Sequence, residues 1–284
     1  MSEQLGITGG VQGESEQPVV LKPATQCYIR RVARSAAGES VLSRAVRIFE
    51  AFTPDETTLG ISEIARRADL PLPTASRLVA ELVRHGLLAR EPGRGVRVGV
   101  RMWELALRAS PALGLRETAM PFMADAHSVI GHHVQLGVLD GDEVIFIERL
   151  SAPHAVINYT RIAGRLPLHV SSSGLVLLAH APTEFQERIL ARPLLRYTQN
   201  TITTPQRLRA ALAEVRRQGY AHCPGHVHED ALGIAVPVRK GTHGVVAALS
   251  AIVPTDATHR TATGVLSAAA RGIGRALEIP NGGA

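Results

Sequence analysis

Residues 40–52, SVLSRAVRIFEAF, residues 61–86, ISEIARRADLPLPTASRLVAELVRHG, and residues 87–99, LLAREPGRGVRVG, decide the fold of the N-terminal half. Ser40 is placed to cap a first helix in which Leu42, Val46 and Phe49 recur at i, i+4 and i+7 as one apolar stripe. Thr53-Pro54-Asp55 ends it, because proline disfavours helix in the residue before it. In the second helix Ile61, Ile64, Ala65 and Ala68 share one face, and Arg66 and Arg67 lie on another. Asp69, in the short link Asp69-Leu70-Pro71, stands where such turns need a left-handed residue, which Asp tolerates better than most. A third helix starts near Pro73, where a missing amide costs little. Its inner stripe is Ala75, Leu78, Val79 and Leu82; its outer stripe is Thr74, Arg77, Glu81 and Arg84, flanked by Ser76. Residues 87–98 read as two short strands around Glu91-Pro92-Gly93-Arg94-Gly95.

Helix, helix, turn, helix and hairpin in this order make a winged helix-turn-helix domain. An apolar inner face with a polar, basic first turn is what a recognition helix presents to the major groove. The implied partner is double-stranded DNA. The candidate contacts are Arg44, Ser62, Pro73, Thr74, Ser76 and Arg77, with Arg94 and Arg97 from the wing. Taken singly, Arg66, Arg67, Arg90 and Arg101 are equally well explained as solvated faces. Residues 40–116 carry 12 Arg against 8 Asp and Glu, a balance of +4 within a chain total of +6. That balance attracts phosphate without reading sequence, so the order of elements carries the inference.

A chain of 284 residues with 45% hydrophobic content accommodates one small and one medium domain. Residues 1–39, rich in Gly, Ser, Glu and Gln, read as a flexible arm in which Arg30, Arg31 and Arg34 are solvated or touch DNA. The DNA-binding domain spans 40–99. A linker helix spans 100–116, with Met102, Leu105, Ala106 and Ala109 at helical spacing, packing on its twin or on the first helix; Pro111 ends it. The second domain spans 117–279. Cys27 and Cys223 make no disulfide framework. With no basic-then-apolar leader and no apolar run of about 18 residues, a cytoplasmic protein without a membrane partner is expected.

From 117 onward helix and strand signals interleave. Residues 117–130 read as a helix and 133–139 as a strand. Asp140-Gly141-Asp142 reads as a hairpin turn, 143–150 as the return strand and 155–160 as a third strand. Helices at 173–180, 183–191 and 204–218 are followed by strands at 219–223, 231–238 and 244–253 and a helix at 255–277. The expectation is an α+β domain, an antiparallel sheet with flanking helices like the GAF and profilin-like folds. In Val170-Ser171-Ser172-Ser173-Gly174, hydroxyls and free amides gather at a helix start, which suits an anion and equally suits a helix cap.

Residues 40–278 resemble the IclR-type bacterial transcriptional regulators. The N-terminal likeness rests on Ser-Val-Leu-Ser-Arg-Ala-Val-Arg-Ile-Phe-Glu, Ile-Ser-Glu-Ile-Ala and Leu-Pro-Leu-Pro-Thr-Ala-Ser-Arg-Leu. The C-terminal likeness rests on Leu139-Asp140-Gly141-Asp142-Glu143-Val144, Gly164-Arg165-Leu166-Pro167-Leu168-His169, Gly219-Tyr220-Ala221, Ala235-Val236-Pro237-Val238 and Ala248-Leu249-Ser250. The resemblance implies a dimer, or dimer of dimers, on a palindromic operator. It also implies a small organic acid effector in a pocket formed by Ser171, Ser172, Ser173, Cys223, Gly233, Ile234, Ser250 and Ile252. Where relatives often carry Cys or Ser, this chain has Gly233, and where they carry a second Ser it has Ile252. The implied pocket is emptier and more apolar, suited to a larger aromatic or aliphatic carboxylate. In the recognition helix Leu72-Pro73 replaces a common Lys-Ser and Ser76 a common His, while Thr74 and Arg77 match.

Two rival readings stand beside this one. His222-Cys223-Pro224-Gly225-His226-Val227-His228-Glu229-Asp230 is dense in metal-capable donors, which His132 and His133 could join, and would make a metal-responsive regulator. Its spacing fits no standard zinc motif, and no metal or other cofactor is expected. A hydrolase pairing Ser173 with His169 would lack a Gly-x-Ser-x-Gly elbow, so no catalytic residue is assigned.

Overall fold

The computed structural model describes residues 39–279 except 54, 110, 154, 157, 159, 161, 257 and 258. Cys27, Arg30, Arg31 and Arg34 of the expected N-terminal arm lie outside the described residues. The chain divides into two units between Met120 and Pro121.

In the first unit, α1 (Val41–Glu50) starts at Ser40, whose Oγ accepts from the Ser43 amide at 3.0 Å. The buried face of α1 is rotated from the expected stripe. Ile48 is fully buried with Ala45 and Phe49 beside it, whereas Leu42 and Val46 are 74% and 40% exposed. The small core accepts only one narrow face of α1, and that face lies on the Ala45–Ile48 side. A three-residue strand, β1 (Thr58–Gly60), precedes α2 (Ile61–Arg67) and α3 (Leu72–Arg84). Asp69 in the link has φ 51°, the left-handed conformation expected of it. Strands β2 (Leu88–Arg90) and β3 (Gly95–Val98) flank the turn Pro92–Arg94. The sheet order is β1-β3-β2, with Leu59 opposite Val96. Ile64, Leu78, Val79, Leu82, Leu88 and Val96 close the core over Ile48.

The linker reads as two helices, α4 (Val100–Ala109) and α5 (Pro111–Ile130); α4 ends ahead of Pro111, the residue expected to end it, while α5 runs through the boundary assigned at 116. Proline both stops the preceding helix and fits the first turn of the next.

The second unit contains the latter half of α5, then β4 (His133–Asp140), β5 (Glu143–Leu150), β6 (Arg165–Pro167) and α6 (Ser172–Ala179). Helices α7 (Thr183–Leu190) and α8 (Pro205–Gln218) lead to β7 (Ala221–Pro224), β8 (Ala231–Arg239), β9 (Val245–Pro254) and α9 (His259–Glu278). The sheet is antiparallel throughout, in the order β6-β5-β4-β9-β8-β7. The expected strand at 155–160 is absent among the described residues there, and Arg165–Pro167 pairs with β5 instead. Asn158 Oδ1 accepts both the Thr160 amide at 3.0 Å and its hydroxyl at 2.7 Å. Such local side-chain bonds compete with a β-ladder for the backbone donors.

Helix α6 is buried along its whole length, against Phe146, Leu168, Leu208, Leu212, Ala235 and Ala248. Ile234 and Val236 alternate with Gly233 and Ala235 on β8 and so face the other side of the sheet. Helix α9 packs along β8 and β9.

Candidate functional site

In the first unit, α3 buries Ala75, Leu78, Val79 and Leu82 and leaves Pro73, Ser76 and Arg77 exposed, with Thr74 half-buried. The helix-turn-helix thus presents the residues expected on its outer stripe. The arginines divide by their partners. Arg66 is bidentate with Glu63, at 2.9 and 2.6 Å. Arg67 bridges Glu63 and Glu56 at 2.5 Å each and donates to the Ala51 carbonyl at 3.1 Å, tying α2 to the end of α1. These two guanidiniums hold the Glu63 carboxyl down at about 2. Arg97 pairs with Glu91 within the wing, and Arg44 donates to the Ser40 carbonyl at 3.4 Å. No hydrogen bond or ion pair joins Arg77 to a described residue, and Ser62 is exposed at the start of α2. The side chain of Arg94 lies outside the described atoms, although its backbone is in the wing turn.

In the second unit, a partly open cavity lies over the start of α6. Six of the eight residues expected at the effector site line it: Ser171, Ser172, Ser173, Cys223, Gly233 and Ile252. Ile234 does not, because it points to the opposite face of β8. Ser250 lies behind the wall, where its Oγ accepts from Ser173 Oγ at 2.9 Å. The three serines therefore have three tasks. Ser171 caps α6, accepting from the Gly174 amide at 3.0 Å. Ser173 is committed to Ser250. Ser172 Oγ has no hydrogen-bond partner among the described residues, and the amides of Ser172 and Ser173 belong to the first turn, which has no acceptor inside the helix.

Gly233 permits this arrangement by close approach. A Cβ there would lie 3.0 Å from Ser172 Oγ and 3.6 Å from Ile252 Cδ1. The room that a side chain would fill is thus taken by the Ser172 hydroxyl. Phe146, Leu166, Val170 and Ile252 supply apolar walls. Burial pushes the Cys223 thiol up to about 12, so Cys223 is also a neutral wall. His226 is held down to about 4, chiefly by burial and then by Arg207, His222 and His169.

Sequence reasoning missed Gln135, Asn158 and Thr160, which also line the cavity, and considered His226, another lining residue, only as a metal donor. Gln135 is fully buried in β4. The available signal was a lone amide within the apolar run His133–Leu139.

The rival constellations do not assemble among the described residues. His222 and Cys223 are adjacent on β7 and face opposite sides, His222 outward. No group of three or more His, Cys, Asp or Glu side chains is placed to hold a metal ion. His169 Nε2 lies 3.0 Å from the Leu195 carbonyl and makes no bond to Ser173. No described helix is long and apolar enough to cross a membrane.

Comparison with known proteins matches both units. Residues 41–92 match the IclR helix-turn-helix domain, and residues 108–278 match the family described as bacterial transcriptional regulator IclR C-terminal. The HTH-type transcriptional regulator XynR of Escherichia coli K12 is 30% identical over 211 residues, 74% of this chain and 84% of its own. An IclR homolog from Microbacterium hydrocarbonoxydans, solved in complex with 4-hydroxybenzoate, is 47% identical with a TM-score of 0.80, covering 84% of this chain and 99% of that one. A second homolog, from Microbacterium sp. strain HM58-2, is 45% identical with a TM-score of 0.58, covering 86% and 100%.

Proposed function

The chain belongs to the IclR family of bacterial transcriptional regulators, DNA-binding proteins with a C-terminal effector-binding domain, and from that premise we propose that its effector is an aromatic monocarboxylate bound over the start of α6. The observation that carries this reading is the Ser172 hydroxyl, uncommitted beside two first-turn amides and opening into an apolar-walled cavity. A carboxylate there accepts charge-assisted hydrogen bonds and meets the positive end of the helix. Among the described lining residues the polar groups near the start of α6 are the hydroxyls and amides of Ser171, Ser172 and Ser173, which bind an anion by hydrogen bonds. The 4-hydroxybenzoate in the homolog that is 47% identical supports the same ligand class.

The DNA reading assigns base contacts to Thr74, Ser76 and Arg77, with Arg44, Ser62, Pro73, Arg94 and Arg97 on the flanking backbone. Side chains near the N-terminus of a recognition helix reach base edges, and the wing reaches phosphate. Binding as a dimer to a palindromic operator is supported by apolar side chains left exposed on both α1 and α4. Leu42 is 74% exposed, Val100 65% and Trp103 61%. Sedimentation analysis of the full chain tests the dimer.

The effector is tested by calorimetry with benzoates against aliphatic acids of similar size. The reading expects saturable binding of the aromatic series. Binding of aliphatic acids alone would contradict it.

A further inference from the structure

The turn between α2 and α3 sets the direction in which the recognition helix sets off, and one residue governs its path. Helix α2 ends in a Schellman arrangement: the Asp69 amide donates to the Arg66 carbonyl at 3.3 Å, and the Leu70 amide donates to the Ala65 carbonyl at 2.9 Å. Asp69 is the left-handed residue that this arrangement requires, with φ 51°. Glycine is the usual occupant of that position, because a Cβ crowds the backbone there. Asp tolerates the conformation better than most residues, but not without cost. Pro71 follows at once and α3 begins at Leu72, so a rotation at Asp69 is carried straight into α3. The cost is offset from α1. Arg47 Nη1 donates to the Asp69 carbonyl at 3.4 Å and stands 3.9 Å from Asp69 Oδ2. Nη2 donates to Glu39 Oε2 at 2.7 Å, which fixes the other side of the guanidinium. Arg47 Nε is buried, and the next residue, Ile48, is fully buried in the core of the unit. Arg47 is therefore held in place, unlike an arginine on a solvated face.

We infer that Arg47 is a positioning residue for DNA reading: it holds Asp69 in the left-handed conformation and so fixes the angle between α2 and α3. This rests on the reading of α3 as the recognition helix given above. The direction of the Asp69 carbonyl is set by ψ of Asp69 itself, so a donor on that oxygen constrains the dihedral that orients the peptide leading into α3. Without Arg47 the turn relaxes toward a conformation that an Asp adopts more readily, and Thr74, Ser76 and Arg77 leave their places together. Base contacts depend on such placement, whereas phosphate attraction does not. Arg47 thereby acts on specificity without touching a base.

The test is a rescue experiment on the full-length protein, read by fluorescence anisotropy at a temperature well below the unfolding midpoint of every variant. The duplexes are an operator selected by the protein from random sequences and a scrambled control. Arg47→Ala should weaken operator binding by about 5- to 10-fold and scrambled binding by less than ~2-fold. Asp69→Gly alone should leave both affinities within ~2-fold of the parent. Adding Asp69→Gly to Arg47→Ala should restore operator affinity, because glycine takes the left-handed conformation without support. A phosphate contact made by Arg47 itself would be lost on both duplexes alike and would not be rescued. Should Arg47→Ala fail to fold, Arg47→Gln, which keeps most of the stem, takes its place in the same scheme. Unchanged operator affinity in the Arg47 variant, or a loss that Asp69→Gly does not restore, overturns the inference. Arg77→Ala in the same titrations keeps the two readings apart. A loss for Arg77→Ala with none for the Arg47 variant overturns only the role of Arg47, and no loss for either overturns both.

Discussion

Ser173 Oγ donates a 2.9 Å hydrogen bond to Ser250 Oγ, joining the start of α6 to the middle of β9 across 77 residues of chain. Both side chains are buried. The bond fixes where α6 begins relative to the sheet, and so where the neighbouring Ser172 hydroxyl meets Gly233. Ser250 thereby shapes the cavity without being among its lining residues.

Replacing either partner leaves the other buried and unpaired. Ser173→Ala and Ser250→Ala should each lower stability by about 1–3 kcal/mol, while the double variant should cost clearly less than the sum. Urea unfolding of the three variants checks this. Strict additivity would mean that the two hydroxyls do not interact.

Ser172 should behave in the opposite way. Its hydroxyl supports no described residue, so Ser172→Ala should leave unfolding nearly unchanged. Loss of a hydrogen bond to a charged ligand should weaken aromatic-acid binding by about 1.5–3 kcal/mol, roughly 10- to 150-fold. Gly233→Ala should also weaken binding, because its Cβ would press on Ser172 Oγ from 3.0 Å. Calorimetry separates affinity from stability. Unchanged affinity in both variants would place the carboxylate elsewhere.

The arginines of the first unit should separate by partner. Arg77 is free to reach a base edge, and Arg77→Ala should cost about 1–3 kcal/mol of specific DNA affinity. Arg66 is already bidentate with Glu63, so Arg66→Ala should cost less. Arg67 holds α1 to α2, so Arg67→Ala should act mainly on stability. Fluorescence anisotropy on specific and scrambled duplexes, with thermal unfolding alongside, distinguishes the three. Equal losses for Arg66 and Arg77 on specific DNA would contradict the division.

Stability should fall on mild acidification. Burial lowers His226 from an ordinary 6.5 to about 4, so the unfolded chain takes up the proton first as pH drops. The stabilisation is complete above pH 6.5 and is lost progressively as pH falls towards 4. His133, His169 and His180 are lowered in the same direction by burial. His226→Gln should therefore reduce the slope of unfolding free energy between pH 7.5 and 5 without abolishing it. A slope identical to that of the parent would remove His226 from this account.

What was legible in the sequence follows physical rules. The inner stripe of α3 and the left-handed Asp69 were readable because period and turn chemistry agree. Strand β1 was not, since three residues cannot display alternation. The stripe on α1 was read one face away, because exposed Leu42 and Val46 obey the same period as the buried residues. The stretch 155–160 looked like a strand by composition, and the Asn158–Thr160 bonds overrode it. Among the site residues, the serine cluster announced itself by its place before an apolar helix. The division of labour among its hydroxyls depended on Ser250 and Gly233, far away in sequence. Gln135 gave little sign, because its burial arises from pairing between β4 and β9.

The central claim is that an acid in the cavity controls DNA binding, and its most direct test is operator affinity with and without ligand. An operator selected from random duplexes would be titrated with the full-length protein, in the absence and presence of saturating 4-hydroxybenzoate, at one fixed salt concentration. An effector that distinguishes the DNA-binding conformations should change the affinity by roughly 5- to 150-fold, in either direction, and Ser172→Ala should shift the ligand concentration needed. Identical operator affinity in both conditions, with the ligand shown by calorimetry to be bound, would contradict the account.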